Sequence, residues 1–111
     1  MIPTEEVEQR TLVQYLRIKN YAHFRVPSET FTKSWNQKRK NKDLGVVPGV
    51  PDIFVIVNNQ LIAIEMKRIK GGVTSPFQKE WIDRLNAAGI PAKVCRGSEE
   101  AIKFIQSIKG D

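Results

Sequence analysis

The N-terminal quarter of the chain shows the hydrophobic pattern of a helix followed by a strand. Thr4–Lys19 has three acids near its start, basic residues later, and Leu12 and Leu16 on one face. This pattern predicts a helix capped by Thr4, because acids favour the first turn and an apolar stripe faces a core. The following segment, Tyr21–Val26, is predicted to be the first strand.

The middle of the chain contains two short apolar runs with a turn between them. Residues 53–57 and 61–64 are unbroken runs of aliphatic and aromatic side chains, as is typical of buried strands. Asn58 and Asn59 separate them, and asparagine tolerates the positive φ that a tight turn requires. The sequence therefore predicts two strands joined by a hairpin.

The C-terminal third predicts a helix, a strand and a second helix. Ser75 and Pro76 mark the start of the first helix, and Gly89 marks its end. Four of its apolar side chains recur at about 3.6-residue spacing and are expected to face the core: Phe77, Trp81, Leu85 and Ala88. Ala92–Arg96 is predicted to be a strand, and Ser98 is expected to cap the last helix.

The order of these elements, αβββαβα, predicts an α/β fold with a central mixed β-sheet flanked by helices. At 111 residues the chain has enough apolar surface for one core and too little for two, so residues 1–111 are expected to form a single domain. Residues 28–50 have no clear period and are predicted to be a basic, mobile loop.

Charge adds a candidate partner to this picture. Eighteen Lys and Arg against twelve Asp and Glu give a net charge of +6. Such an excess favours a polyanionic partner through phosphate contacts and counterion release. The residues expected to bind DNA are Lys38, Arg39, Lys40 and Lys42. The alternative, a solvated charged loop, stays open.

Other features of the sequence predict a soluble, intracellular protein. The first ten residues are charged, which does not fit a secretory signal, and the longest apolar runs are far shorter than the ~20 residues that cross a bilayer. The single cysteine, Cys95, forms no internal disulfide and is expected to be a packed thiol.

Three polar residues stand at the ends of the two central apolar runs. Asp52 opens the first run, and Glu65 and Lys67 close the second. Because side chains alternate along a strand, Glu65 and Lys67 should share one face while Met66 takes the other. Two carboxylates suit Mg²⁺, and a neighbouring lysine suits a charged phosphate. The alternative is an ordinary solvent-facing strand end.

The first helix offers a third acid. Glu5 falls within about 40° of the inward direction set by the two leucines, whereas Glu8 lies roughly 60° away and Glu6 about 100° away. An inward carboxylate is costly unless it binds something, so Glu5 is the predicted site residue. Glu8 remains a competitor, and a favourable charge at the helix start is the alternative role for Glu5.

These motifs together resemble those of the PD-(D/E)xK nucleases, and specifically the virus-type replication-repair nuclease (VRR-NUC) family. The matching elements are Pro51-Asp52, Glu65-Met66-Lys67, Gln78 at the start of a helix, and the Thr-Glu-x-x-x-Gln pattern of residues 4–9. The resemblance extends over residues 4–105 and implies a restriction-endonuclease-like core.

The resemblance also implies an activity, that of a Mg²⁺- or Mn²⁺-dependent endodeoxyribonuclease. The implied metal ligands are Asp52, Glu65 and the carbonyl of Met66, with Glu5 contributing directly or through water. Lys67 is expected to position the attacking water and stabilise the transition state. Gln78 is expected to hold that lysine or the water in place.

Standalone members resembling this chain look like Holliday-junction resolvases, which implies branched DNA as substrate. A homodimer is expected, since cutting two strands needs two sites. The family also suggests a phage or prophage origin, and hence a bacterial cytoplasm. The alternative is a non-catalytic nucleic-acid-binding module with a nuclease-like fold.

Overall fold

Four strands form one mixed sheet with helices packed against it. The computed structural model describes residues 2–27 and 35–110. Its elements are α1 (Glu5–Ile18), β1 (His23–Arg25), α2 (Trp35–Asp43), β2 (Ile53–Val57), β3 (Gln60–Lys67), α3 (Pro76–Ala87), β4 (Ala92–Arg96) and α4 (Ser98–Lys109). In these ranges, none of the helices combines the length and the apolar character needed to cross a membrane.

The sheet has the strand order β1-β2-β3-β4. β1 and β3 both run antiparallel to β2, while β4 runs parallel to β3 after the α3 crossover. Asn58 and Asn59 take positive φ values of 53° and 60° between β2 and β3, so the predicted hairpin is confirmed. The predicted α/β fold with a mixed sheet is confirmed as well.

The core lies on the face of the sheet that α1 and α4 cover. Alternate residues of β2 and β3 are fully buried there together with residues of the two helices: Leu12, Leu16, Ile53, Val55, Val57, Ile62, Ile64, Met66 and Ile105. Cys95 of β4 joins this core, so the expected packed thiol is confirmed. Burial raises the pKa of that thiol to about 12.

The segment predicted as a loop contains a helix. Residues 28–34 lie outside the described residues, but α2 occupies Trp35–Asp43. The element order is therefore αβαββαβα rather than αβββαβα. The sequence WNQKRKNKD has no apolar stripe to reveal a helical period, although its lysines, arginine and glutamine favour helix intrinsically.

The predicted apolar stripe of α3 is only partly buried. Trp81 and Leu85 are half-buried, Ala88 is exposed and Phe77 is 57% exposed. No residue of α3 is fully buried, because this helix packs against β3 and β4 on the face away from the main core. The expectation that Phe77 and Ala88 face the core is wrong.

The start of α4 also differs from the prediction. The residue before the helix, Gly97, occupies the capping position with a φ of 92°, and no side chain caps the helix from there. Ser98 is the first helical residue, and its hydroxyl donates to Glu8 of α1. Ser98 therefore joins two helices instead of capping its own.

Candidate functional site

The hairpin brings the first two predicted acids together. Ile53 lies opposite Ile64, so Asp52, one residue before β2, comes next to Glu65, one residue further along β3. The backbone N–H of Met66 donates to Asp52 Oδ2 at 2.9 Å, which fixes the aspartate against the end of β3. The antiparallel register thus places both carboxylates at one end of the sheet.

Both carboxyl groups are buried, and their pKa values respond to that. Asp52 is 8% exposed and Glu65 is 3% exposed. Burial, with the charge of Asp52, raises the pKa of Glu65 to about 8, against the opposing effect of Lys67. Burial also raises the pKa of Asp52, against the hydrogen bond from Met66 N–H. The two carboxyl groups titrate as an interacting pair, in which the proton on Glu65 is held more tightly than on an exposed glutamate.

Lys67 lies beside this pair. Its Nζ is 4.0 Å from Glu65 Oε2, and both side chains are largely buried. Gly72 packs along the aliphatic part of the lysine, since a Cβ at Gly72 would lie 3.3 Å from Lys67 Cδ. The lysine is thus directed towards the carboxylates by its neighbours.

The first turn of α1 adds Glu5 to the same cavity. Thr4 caps α1 by accepting from the Val7 N–H, as predicted, and Glu5 follows directly. Burial and the charge of Asp52 raise the pKa of Glu5, while Lys67 lowers it. Across residues 2–27 and 35–110, no three Asp, Glu, His or Cys side chains form a group that could hold a metal ion. Glu5 therefore borders the acid pair without completing a set of three ligands.

The competing acid, Glu8, is buried elsewhere. It is 7% exposed, and its Oε1 accepts from Ser98 Oγ at 3.1 Å. A Cβ at Gly97 would lie 2.5 Å from Glu8 Oε2, so glycine is required at that contact. The prediction that Glu8 points further from the interior than Glu5 is wrong, because the start of α4 covers it. Glu8 lines a different cavity.

The cavity that holds the acid pair measures about 550 Å³. Its lining combines the predicted site residues with the segment between α2 and β2: Glu5, Val26, Pro27, Gly45, Val46, Val47, Pro48, Gly49, Val50, Asp52, Glu65, Lys67 and Gln78. Sequence reasoning missed the role of residues 45–50 as a wall of this cavity. Pro48 and Gly49 are typical of a turn, but they do not indicate the element on which it packs.

Gln78 and Gly49 meet at the start of α3. Gln78 Oε1 accepts from the Ser75 N–H, and Ser75 Oγ accepts from the Gln78 N–H, which together form a capping box. Gly49, with a φ of 89°, packs against the backbone of Phe77 and Gln78. The acceptor oxygen of Gln78 is thus engaged in the cap, and its amide NH₂ is the end able to donate into the cavity.

A further charged residue at the site was not found from the sequence. Arg25 ends β1 opposite Ile53, and the next residue, Val26, donates its N–H to the Asp52 carbonyl at 2.7 Å. Arg25 is close enough to lower the pKa of Asp52. Only the pairing of β1 with β2 reveals this position.

The predicted DNA-binding residues lie together on α2 and away from the cavity. Their side chains are exposed, and none of the described residues of α2 lines the cavity: Lys38, Arg39, Lys40 and Lys42. After Trp35, every residue of α2 is polar, and the exposed cations give this helix a basic surface towards solvent.

Comparisons with known proteins agree with this arrangement. The sequence model of the VRR-NUC domain matches residues 4–99. A solved structure described as a VRR_NUC domain protein is similar with a TM-score of 0.76 and 24% sequence identity, over 96% of this chain and 88% of that one. At this identity the similarity shows the fold. A comparison with curated proteins gives no match.

Proposed function

The chain belongs to the VRR-NUC domain family, and from this membership and its site we propose that it is a metal-dependent endonuclease acting on branched DNA. The observation that carries the proposal is the buried pair of Asp52 and Glu65 beside Lys67. Burying two carboxylates together costs folding free energy, and a bound cation would offset that cost.

The donor set fits a hard divalent cation such as Mg²⁺ or Mn²⁺. Asp52, Glu65 and the Met66 carbonyl would hold it, and Glu5 would reach it through water. Magnesium typically takes one or two carboxylates and keeps several waters, so two acids suffice. When bound, such an ion lowers the pKa of a water molecule and neutralises charge on the phosphate.

The remaining groups of the cavity would orient the reactants. Lys67, held next to Glu65, would direct its ammonium group at the attacking water and at the charge that develops on the phosphate. Gln78 would donate from its amide NH₂ to the water or to a phosphate oxygen, because the capping box fixes the position of its side chain. Residues 45–50 form one wall of this cavity.

We base the proposed substrate on the charge of the protein, and the proposed homodimer on the number of sites in each chain. A net charge of +6, with Lys38, Arg39, Lys40 and Lys42 exposed on α2, favours a polyanion such as DNA. The described part of each copy holds one acid pair of this kind. A symmetric homodimer would bring two such sites to a four-way junction, whose own twofold symmetry it would match.

A cleavage panel tests the proposal. Purified protein is incubated with single-stranded, duplex, flap and four-way DNA, each with Mg²⁺, with Mn²⁺ and with chelator. We expect metal-dependent cuts, with the four-way junction cut fastest. Glu65→Gln is a suitable control, because it removes a proposed carboxylate ligand while keeping the size and shape of a buried side chain. Metal-dependent binding without cleavage of any substrate would instead indicate a non-catalytic nucleic-acid-binding module.

A further inference from the structure

A second cavity, of about 660 Å³, runs beside α1 and opens at the candidate site. Glu5 and Asp52 lie at its site end, and three arginines line it as well: Arg10, Arg17 and Arg25. We propose that this groove, which we call the α1 groove, binds the sugar-phosphate backbone of the nucleic-acid strand on one side of the bond that is cut. The inference rests on the proposed nuclease function and adds a binding surface to it.

The charges of the α1 groove are segregated along its length. Its acids are confined to the first turn of α1 and to Asp52, whereas Arg10 and Arg17 follow one and three turns later on the same helix. Arg25 reaches the groove from β1, since it lies opposite Ile53 and so shares the face of the sheet that α1 covers. A cation would therefore be held at one end, and phosphates would be contacted along the rest.

Among the described residues, one ion pair engages an arginine of α1, and it is weak. Arg10 Nη2 lies 3.1 Å from Glu6 Oε1, with the two side chains 76% and 75% exposed. Exposed pairs of this kind contribute little to stability, so exchanging Glu6 for a phosphate oxygen costs little. Guanidinium groups match phosphate through two parallel hydrogen bonds, which makes arginine better suited than lysine to this role.

The length of the groove fits a short stretch of one strand. Glu5 and Arg17 are separated by twelve residues along α1, a rise of about 18 Å. Phosphates of one strand of B-form DNA follow each other at about 3.4 Å along the axis, so α1 spans roughly five of them. The α1 groove continues directly from the acid pair, whereas none of the described residues of the basic helix α2 lines either cavity.

The test compares two double variants that lose equal charge. Arg10→Gln/Arg17→Gln alters the α1 groove, and Arg84→Gln/Lys103→Gln is the matched control. Arg84 and Lys103 are exposed helical cations like the two arginines, each is paired with an acid four residues before it as Arg10 is, and neither lines the groove. Thermal melting checks that all proteins fold. Affinity for a 20-bp duplex and a 20-nucleotide single strand is measured with chelator across a salt series.

We expect the plot of log affinity against log salt to be flatter for the groove variant. The magnitude of its slope should fall by about 2 on duplex and about 1.4 on the single strand, for two lost phosphate contacts. The control should leave the slope unchanged. In cleavage assays with metal, shortening one arm of the substrate below about five nucleotides should slow wild type but not the groove variant, which has already lost those contacts.

The outcomes separate the two proposals. Wild type that neither binds nor cuts DNA would reject the nuclease function itself. The other outcome is that wild type binds and cuts DNA while the groove variant has the same salt slope as the control variant. This would overturn the proposed role of the α1 groove and leave the nuclease function standing.

Discussion

Within residues 2–27 and 35–110, carboxylates are buried in two places, and these differ in what surrounds each acid. At the junction of α1 and α4, Glu8 is 7% exposed and accepts a hydrogen bond from Ser98, next to the start of α4. At the end of the sheet, Asp52 and Glu65 are equally buried but face each other, and burial raises the pKa of both. We call these places the helix junction and the acid pair.

The difference shows that burial of an acid does not by itself indicate a catalytic role. In the helix junction the carboxylate has a hydroxyl donor and the favourable end of a helix dipole, so it stabilises the fold. In the acid pair burial raises the cost of ionising both carboxyl groups, the charge of Asp52 raises it further for Glu65, and a cation is the partner that relieves this. A useful criterion is therefore whether a buried acid has a further buried acid as its neighbour.

The largest expected effect separates these two places by cleavage. Asp52→Ala or Glu65→Gln should abolish cleavage of the preferred DNA, because a hard cation loses its site when one carboxylate ligand goes. Glu8→Gln should retain cleavage in proportion to the folded protein, since an amide oxygen can still accept from Ser98. Initial rates at equal folded concentration measure this. Cutting by Glu65→Gln at the wild-type rate would remove the acid pair from the chemistry.

A smaller effect is expected at Lys67, which belongs to the acid pair by position and not as a ligand. Lys67→Ala should cleave at least ~10²-fold slower, by analogy with the loss of one transition-state donor. Its affinity for DNA in the presence of metal should stay close to that of wild type. Single-turnover cleavage rates and a DNA-binding curve measure the effects on catalysis and on affinity separately. Near-normal turnover would make Lys67 a surface residue of the strand end.

Glu5 offers a graded comparison between the two places, because it lies on α1 with Glu8 and lines the cavity of the acid pair. Glu5→Gln should slow cleavage by about 10- to 100-fold, the usual cost of losing a group that acts on a metal through water. The loss should exceed that of Glu8→Gln and should be partly restored at higher Mg²⁺. A larger loss for Glu8→Gln would transfer the role to Glu8.

The sequence predicts the acid pair better than the helix junction, and the reason is distance along the chain. Asp52 and Glu65 are thirteen residues apart across a hairpin that Asn58 and Asn59 indicate, so local patterns suffice. Glu8 and Ser98 are ninety residues apart, and nothing near either one indicates the other.

The helices show the same limit. Thr4 caps α1 as predicted, because capping is a local interaction. α2 has no apolar stripe, so hydrophobic periodicity does not predict it. The exposure of Phe77 depends on which face of the sheet α3 covers, which is a property of the whole fold. The position of Arg25 near Asp52 depends on the register of β1 against β2, which the local sequence does not indicate.

The smallest expected effect concerns folding stability without metal. Because the pKa of Glu65 is raised from 4.5 to about 8 in the folded protein, the folded state binds this proton more tightly than the unfolded state does. The resulting stability is fully present below about pH 4.5 and is lost as pH rises towards about 8, at no more than about 1.4 kcal/mol per pH unit for one proton. Glu65→Gln should lack this loss.

Urea unfolding with chelator at pH 5 and pH 8 measures this difference. Wild type should lose stability between the two pH values relative to Glu65→Gln, and Glu65→Gln should be at least as stable as wild type at pH 8. The helix junction should behave otherwise: Glu8→Ala leaves the buried Ser98 hydroxyl without its acceptor, so it should cost about 1–3 kcal/mol at pH 8. If wild type and Glu65→Gln shared one pH dependence, the acid pair would carry no buried proton. Its contrast with the helix junction would then rest on geometry alone.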